Sequence, residues 1–364
     1  MRILLLAGEE SGVMYAERIA EAIREKRPAV EIRGYGDYGF KTGDLAVMGL
    51  GQVLRRIFYF LGVKRTMERA IDEWKPDVVC TVDYPGLNLK LAAYAKRRGI
   101  RTVHVVCPQV WAWKKGRVPK IEAALDKLCC FFPFEPELFK PGFAEFVGHP
   151  LVDEMQDSAA KGRKDGAEKV LAVLPGSRIG EIEKHMPVLL DVINSLCAPS
   201  ASLCGKIKVV IPAANDKAYS KISSLIPQSS SLCVTHGGAR AALRDADAAV
   251  VASGTATLEA ALAGCPTVLV YKVGWMFAFL ARRFIKGIRH IGLANIIAEK
   301  AGKQCPMPEL LQEDFTAEKV LAVLRPLLES EESNAIARAL LNETMKLLRS
   351  DGGAIARIAA RVLG

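Results

Sequence analysis

The sequence predicts an α/β protein made of two doubly wound domains, each with a parallel sheet that helices cover on both faces. Three observations predict this class: short runs of Val, Ile and Leu bounded by Gly and Pro, helical stretches between them, and a second series of runs after a charged break. Continuous apolar runs are typical of strands buried on both faces, as in parallel sheets. A chain of 364 residues is long enough for two hydrophobic cores.

The apolar runs give the predicted order of elements. A strand at 3–6 leads into a Gly-containing turn and a helix over about residues 14–26, and further strands follow at 78–82, 102–106 and 127–132. After the charged break at 158–169, strands are predicted at 170–174, 208–211, 248–252 and 266–270. We therefore expect a first domain over 1–160, a second over 168–332, and C-terminal helices over 333–364. Those helices pack either on the first domain or on a partner subunit of a homodimer.

The composition indicates which kind of partner the protein binds and in which compartment it lies. A net charge of +10 favours an anionic partner, and no nucleic-acid-binding signature accompanies the basic residues, so nucleic acid is not expected. Nine cysteines without a C-x-x-C pair indicate neither a disulfide framework nor a zinc site. No uncharged apolar run reaches the roughly 18 residues of a membrane-spanning helix. We expect a cytoplasmic protein whose membrane contact is peripheral.

The segment 108–117 carries two tryptophans, Trp111 and Trp113, followed at once by Lys114, Lys115 and Arg117. In an extended segment both rings point to the same side, which places an aromatic surface beside a cationic cluster at the end of a predicted strand. Open α/β sheets bind ligands at this edge. The alternative is a buried pair of tryptophans that caps a helix.

Two strand ends in the second half predict a phosphate site. The first strand leads into Gly176, Ser177 and Arg178, and a later strand leads into Ser253, Gly254 and Thr255, each just before a predicted helix. Helix N-termini bind anions, and an arginine adds a bidentate donor, so the two turns together fit a diphosphate. A tight turn with an exposed arginine explains the first motif equally well. No Walker A loop is present.

Two carboxylates have candidate roles near these edges. Glu259 lies one turn beyond Thr255 and fits a ribose hydroxyl pair, although a capping box is the alternative. Asp83 ends the strand at 78–82 and is a candidate general base toward a sugar hydroxyl, although an N-cap for a helix beginning near Asn88 is the alternative. At the same edge of the first sheet lies the loop with Glu9, Ser11 and Gly12, which is not a G-x-G-x-x-G dinucleotide fingerprint.

Two basic, aromatic stretches, 54–65 and 275–289, fit contact with an anionic lipid surface. Half-buried helices with solvated Arg and Lys are the alternative for each. The candidate membrane and acyl-chain contacts are Phe58, Phe60, Trp275, Phe277, Phe279, Arg282 and Arg283.

Taken in order along the chain, these motifs resemble those of the lipid-A-disaccharide synthases. The resemblance covers nearly the whole chain, and Trp-Ala-Trp and Leu-Pro-Gly-Ser-Arg are its most specific blocks. The matching segments are 8–12, 45–49, 83–85, 108–113, 148–150, 174–178, 253–259 and 293–295.

The resemblance implies a GT-B glycosyltransferase with two Rossmann-like domains facing across a cleft. It implies transfer of a sugar from UDP-2,3-diacylglucosamine to 2,3-diacylglucosamine 1-phosphate at the cytoplasmic face of the inner membrane. The products are UDP and a β-1,6 tetra-acyl disaccharide 1-phosphate, formed with inversion. In this reading Asp83 is the base, Arg178 and Asn295 lie on the nucleotide side, and Trp111 and Trp113 line the acceptor side. No cofactor or metal is expected, because no Asp-x-Asp motif follows a predicted strand.

One position departs from the family pattern, which has Asp after Ser-Gly in the first loop where this chain has Val13. Two other functions stay open at this point, and Val13 bears on the second of them. One is another UDP-sugar enzyme of the same architecture, such as a UDP-N-acetylglucosamine 2-epimerase or the peptidoglycan glycosyltransferase. The other is a membrane-associated UDP-sugar binder that has lost catalysis.

Overall fold

A computed structural model describes residues 1–8, 10–40, 53–112, 115–155, 168–226, 232–274 and 289–364. The strands are β1 Arg2–Ala7, β2 Glu31–Arg33, β3 Val78–Val82, β4 Arg101–Val105, β5 Lys127–Cys130, β6 Ala144–Phe146, β7 Lys169–Leu174, β8 Ile207–Ala213, β9 Cys233–His236, β10 Ala248–Ala252, β11 Thr267–Tyr271 and β12 Glu309–Leu311.

The helices alternate with these strands along most of the chain. They are α1 Glu10–Lys26, α2 Val53–Trp74, α3 Pro85–Lys96, α4 Val118–Ala124, α5 Pro150–Met155, α6 Ile179–Cys197, α7 Asp216–Leu225, α8 Ala239–Asp245, α9 Thr255–Leu262, α10 Leu293–Lys300, α11 Ala317–Glu329, α12 Glu331–Lys346 and α13 Ala354–Leu363. The described residues form two compact units, unit 1 over Met1–Asp153 and Leu348–Gly364, and unit 2 over Glu154–Leu347.

Unit 1 holds a six-stranded parallel sheet in the order β2-β1-β3-β4-β5-β6. Alternate residues of each central strand face opposite layers of helices. Leu5 and Cys80 pack with α1 and α13, while Leu4 and Val79 pack with α2 and α3. Because these strands are buried on both faces of the sheet, their residues form unbroken apolar runs in the sequence. The chain changes direction across the sheet between β1 and β3, which makes the carboxyl ends of these two strands the switch point of unit 1.

Unit 2 holds a second six-stranded parallel sheet in the order β12-β11-β10-β7-β8-β9. Its core joins Leu171 and Val173 of β7 to Ile182 and Met186 of α6, with Phe315 packed before α11. The strand order reverses between β7 and β10, so the switch point of unit 2 lies at their carboxyl ends.

The C-terminal residues are divided between the units, which differs from the predicted boundary at 332. Arg338 of α12 donates to the carbonyl oxygens of Gly264 (2.8 Å) and Ala246 (3.1 Å), and this keeps α12 in unit 2. Helix α13 packs on α1 in unit 1. Its Arg357 and Arg361 pair with Glu145 of β6 at 2.9 and 2.6 Å.

Candidate active site

Asp83 directly follows β3 at the switch point of unit 1. Its N–H donates to the carbonyl oxygen of Val105 at 2.9 Å, which continues the β3–β4 pairing by one residue. Asp83 and Tyr84 both have left-handed backbone angles, with φ of 50° and 51°. Non-glycine residues in this region are strained by about 1–3 kcal/mol each, and such strain is concentrated at functional sites.

The carboxyl group of Asp83 is half-buried and accepts a hydrogen bond from the N–H of Tyr84 at 2.8 Å. Burial raises the pKa of Asp83 above its ordinary value, and the Tyr84 hydrogen bond opposes that shift. Helix α3 begins at Pro85, three residues before the predicted start, with Tyr84 at the N-cap and no side-chain cap. The N-cap alternative for Asp83 is therefore wrong, and its carboxyl group is left for another role.

The loop between β1 and α1 lies beside Asp83. Helix α1 begins at Glu10, earlier than the predicted residue 14, so Ser11 and Gly12 belong to its first turn. A Cβ atom at Gly12 would lie 3.4 Å from the carbonyl oxygen of Val82 and 3.8 Å from Cβ of Asp83, so the first turn of α1 lies next to the end of β3. Ser11 is exposed, whereas Val13 packs against the core of unit 1. Glu9 and the 45–49 motif lie outside the described residues.

The tryptophan segment differs from its prediction. Residues 109–112 form a turn rather than an extended segment, with the N–H of Ala112 donating to the carbonyl oxygen of Gln109 at 3.2 Å. Trp111 is buried, its indole N–H donates to Oε1 of Glu135 at 3.2 Å, and its ring meets Phe134 edge-on. The prediction that Trp111 forms an exposed aromatic surface is wrong, because the indole is buried and hydrogen-bonded to the buried Glu135. Trp113 lies outside the described residues.

Glu135 is also the centre of the one candidate metal cluster among the described residues. Its carboxyl group and the thiols of Cys107 and Cys130 offer ligand atoms within 4.8 Å of one another, and all three residues are buried. Burial raises the pKa of Glu135 to about 8, which favours the protonated, neutral form at neutral pH. A structural zinc site uses four ligands, and this cluster supplies three.

At the switch point of unit 2, the turn after β7 presents Gly176, Ser177 and Arg178 at the start of α6. Gly176 has φ of 116°, and a side chain there would lie 2.7 Å from the Glu181 carboxylate, so the turn requires glycine. Arg178 occupies the N-cap position without a side-chain cap, and its side chain is 76% exposed. It pairs with Glu181 at 3.3 Å. An exposed guanidinium at a helix N-terminus suits a phosphate.

His185, which the sequence did not single out, joins the two loops at this edge. Its Nδ1 lies 2.7 Å from the carbonyl oxygen of Pro175, and its Nε2 accepts the N–H of Lys272 at 3.0 Å. Nε2 also lies 3.2 Å from the carbonyl oxygen of Lys272, and burial lowers the pKa of His185, which favours the neutral ring. His185 therefore fixes the turn after β7 relative to the loop after β11.

The second predicted phosphate turn follows β10, which pairs directly with β7. Ser253 and Thr255 flank Gly254, the N-cap of α9, whose φ is 150°. The two turns therefore lie at neighbouring strand ends, as a diphosphate site requires.

Glu259 of α9 pairs with Arg240 of α8 at 2.9 Å and does not cap its own helix, so the capping-box alternative is wrong. Arg240 also donates to Glu154 at 2.8 Å. Sequence reasoning missed Arg240, because a charged residue on a short helix carries no local signal of its partner.

Asn295 is fully buried in α10, which contradicts the prediction that its side chain binds the nucleotide. Its amide donates to the carbonyl oxygen of Met307 (2.7 Å) and to Glu309 (2.8 Å), and its oxygen accepts the N–H of Met307 (3.0 Å). Glu309 also accepts the N–H groups of Ile291 and Gly292 at the start of α10. Asn295 therefore holds this part of unit 2 together from inside.

The predicted lipid contacts are described only in part. Phe60 of α2 is half-buried and packs against Tyr59 and Tyr84, with ring centroids 5.9 and 6.3 Å apart, and its contact with lipid stays a prediction. The other predicted contacts lie outside the described residues or, for Phe58, have undescribed side chains: Phe58, Trp275, Phe277, Phe279, Arg282 and Arg283. In the part of the chain that the structure describes, no helix is long and apolar enough to cross a membrane.

Comparison with solved structures shows the fold. A UDP-GlcNAc 2-epimerase from Neisseria meningitidis, bound to UDP-GlcNAc, aligns with a TM-score of 0.60 at 11% identity and covers 100% of this chain and 99% of that one. The calicheamicin glycosyltransferase aligns with a TM-score of 0.60 at 16% identity, covering 100% of this chain and 97% of that one. With two parallel α/β sheets in separate units, the fold is GT-B, as the resemblance implies.

Comparison with sequences shows the family. The model of the lipid-A-disaccharide synthetase family matches residues 3–359. The lipid-A-disaccharide synthase of Neisseria meningitidis serogroup A is 35% identical over 384 residues, covering 99% of this chain and 96% of the relative. That of Syntrophus aciditrophicus is 34% identical over 346 residues, covering 90% and 88%. This chain therefore belongs to the lipid-A-disaccharide synthase family of glycosyltransferases.

Proposed function

We propose that the protein joins UDP-2,3-diacylglucosamine to 2,3-diacylglucosamine 1-phosphate, with Asp83 as the general base. The observation that carries the proposal is the position of Asp83 in a chain of this family. Its half-buried carboxyl group follows a central strand at the switch point of unit 1 and caps no helix. Ligands of open α/β sheets bind at such points.

In this mechanism the Asp83 carboxylate takes the proton from the 6-hydroxyl group of the acceptor. The acceptor oxygen attacks the anomeric carbon of the donor sugar as the bond from that carbon to the diphosphate breaks. Attack from the face opposite the leaving group inverts the configuration and gives the β-1,6 linkage. A general base acts in its ionised form, and the raised pKa of Asp83 makes that carboxylate a stronger base than an ordinary aspartate.

We assign the leaving UDP to unit 2. The turns of 176–178 and 253–255 follow the neighbouring strands β7 and β10, and the helices α6 and α9 begin there. The positive ends of two helix dipoles and the guanidinium of Arg178 favour the charge that develops on the departing diphosphate. Glu259, held by Arg240, is the candidate acceptor for the ribose hydroxyl groups.

We further propose that the protein meets its acylated substrates through peripheral contact with the inner membrane. The net charge of +10 supports attraction to anionic lipid, and the basic, aromatic stretch 275–289 supports insertion at the interface. Co-sedimentation with phosphatidylglycerol vesicles, but not with phosphatidylcholine vesicles at the same salt concentration, is the expected result. Equal recovery in the supernatant with both would contradict it.

The reaction is tested by mass spectrometry of products formed from the two acylated substrates in detergent, with and without EDTA. We expect a tetra-acyl disaccharide 1-phosphate and UDP in equal amounts, unaffected by EDTA. UDP-N-acetylglucosamine alone serves as the control substrate for an epimerase. Absence of the disaccharide from a folded protein that binds UDP would contradict the proposal.

A further inference from the structure

Asn88 lies fully buried beneath the end of β3, and its amide group bonds to backbone on two strands. The NH₂ group donates to the carbonyl oxygens of Leu6 (3.3 Å), Val82 (3.2 Å) and Asp83 (2.8 Å). The side-chain oxygen accepts the hydroxyl group of Tyr35 at 2.7 Å. One side chain thus joins the carboxyl ends of β1 and β3, the two strands at the switch point.

The contact with Asp83 is the shortest of the three donated bonds, and it reaches a strained segment. Asp83 and Tyr84 both hold left-handed backbone angles, and neither is glycine. Such angles persist only where the surrounding structure fixes them. The Asp83 N–H is held by Val105, and its carbonyl oxygen is held by Asn88. Asn88 is therefore the side chain that holds the carbonyl group of Asp83 in place.

Tyr35 completes the arrangement from the segment after β2. It is buried, and its hydroxyl group gives the Asn88 oxygen a donor. In this amide orientation the two NH₂ hydrogens face three carbonyl oxygens, of which that of Asp83 is nearest. A reversed amide would place its oxygen against three carbonyl oxygens and its NH₂ against a hydroxyl group that can also accept. The hydroxyl group thus selects the orientation that supports Asp83.

We propose that Asn88 is a positioning residue for Asp83, and that Tyr35 holds Asn88 in its working orientation. Asn88 is buried and acts through the backbone of Asp83 rather than on a substrate. This inference rests on the proposed function, in which Asp83 is the base. A displacement of about 1 Å in a catalytic group lowers rates by about 100-fold, which sets the size of effect to expect.

The alternative is that Asn88 only stabilises unit 1, and Thr102 provides the matched control. Thr102 is also fully buried in this sheet, and its hydroxyl group is hydrogen-bonded to Asp126 and to the carbonyl oxygen of Ala124. It lies near the start of β4, at the opposite edge from Asp83. Thr102→Val removes a buried hydrogen-bonding group without touching the switch point.

The test compares Asn88→Ala, Tyr35→Phe and Thr102→Val for kcat, acceptor KM, UDP affinity and melting temperature. We expect Asn88→Ala to lower kcat by about 10–100-fold with KM and UDP affinity within about threefold of wild type. Tyr35→Phe should lower kcat by about 3–10-fold, the effect of one lost hydrogen bond. Thr102→Val should lower the melting temperature and leave kcat within about twofold.

Equal kcat in wild type and a folded Asn88→Ala variant would overturn the inference, as would equal kcat losses in Asn88→Ala and Thr102→Val. If Asn88→Ala does not fold, a folded Tyr35→Phe variant with wild-type kcat overturns it instead. Hydrogen exchange over residues 78–90 adds a readout that needs no turnover. Faster exchange at the Asp83 amide in Asn88→Ala, but not in Thr102→Val, would support the positioning role of Asn88. This readout does not depend on disaccharide formation. A wild-type protein that forms no disaccharide would therefore count against the proposed function and not against the positioning of Asp83 by Asn88.

Discussion

The ring of Tyr84 occupies the space that a side chain at Gly8 would need. A Cβ atom at Gly8 would lie 2.5 Å from Cγ and 2.6 Å from Cδ1 of that ring. Gly8 directly follows β1, and Tyr84 directly follows Asp83, so this contact joins the two loops of the unit 1 switch point. The close approach explains why the first loop requires glycine at this position.

Gly8→Ala should therefore destabilise the protein by about 1–3 kcal/mol and lower kcat, because the added methyl group must displace Tyr84 and with it Asp83. Urea unfolding and steady-state kinetics measure the two effects. Gly86→Ala is the control, since a side chain at Gly86 in α3 would meet nothing within 4 Å. It should leave kcat unchanged. A Gly8→Ala variant as stable and active as Gly86→Ala would contradict the account of this contact.

Arg178→Ala should weaken UDP binding by about 1.5–3 kcal/mol, because a charge-assisted contact with phosphate is lost. The UDP affinity of Arg178→Lys should lie between those of Arg178→Ala and the wild type, since lysine keeps the charge but not the bidentate geometry. Isothermal titration calorimetry gives both values. Arg244→Ala, which removes another exposed arginine of unit 2, should bind UDP as the wild type does. Unchanged affinity in Arg178→Ala would remove Arg178 from the nucleotide site.

Glu135 should make the stability of unit 1 depend on pH. Burial raises its pKa from 4.5 to about 8, so the folded state holds this proton more tightly than the unfolded chain does. Its contribution to the free energy of unfolding is complete below about pH 4.5 and is lost as the pH rises through 8. Compared with Glu135→Gln, the wild type should lose stability on the order of a few kcal/mol between pH 5 and pH 9. A difference between the two proteins that does not change with pH, in urea titrations, would show that Glu135 stays ionised when folded.

The central strands could be predicted from the sequence, and the edge strands could not. The predicted runs at 3–6, 78–82 and 248–252 form strands buried on both faces, where burial requires continuous apolar residues. The four strands that were not predicted, β2, β6, β9 and β12, all lie at sheet edges. They have three or four residues each and are partly exposed, so they lack the apolar run on which the prediction depends.

In the candidate site, residues located by a nearby strand end could be predicted, and residues that depend on distant contacts could not. The positions of Asp83 and Arg178 could be predicted because Asp83 directly follows β3 and Arg178 lies in the turn after β7, and a strand end locates such residues in space. Residues whose roles depend on distant contacts could not be predicted, such as His185, whose ring reaches Lys272, 87 positions along the chain. Asn295 was given the wrong role for the same reason, since its partners Met307 and Glu309 lie on a later segment.

The pH dependence of turnover follows from the burial of Asp83. Because burial raises the pKa of Asp83, and the base works only when ionised, kcat/KM should fall with decreasing pH at values above the ordinary range of an aspartate. Initial rates over a pH series, measured where the protein stays folded, give this limb of the profile. If the apparent pKa of this acid limb lies within or below the ordinary range of an aspartate, Asp83 is more solvated in the working enzyme than in this structure.

The most direct test of the account is disaccharide formation by Asp83→Asn, measured beside its UDP affinity. Asparagine keeps the size of the side chain and one accepting oxygen, but its amide cannot take a proton at neutral pH. We expect turnover to fall by about 10²–10⁴-fold, the usual contribution of a general base, while calorimetry shows UDP binding equal to that of the wild type. Near-normal turnover by Asp83→Asn would contradict the assignment of Asp83 as the base.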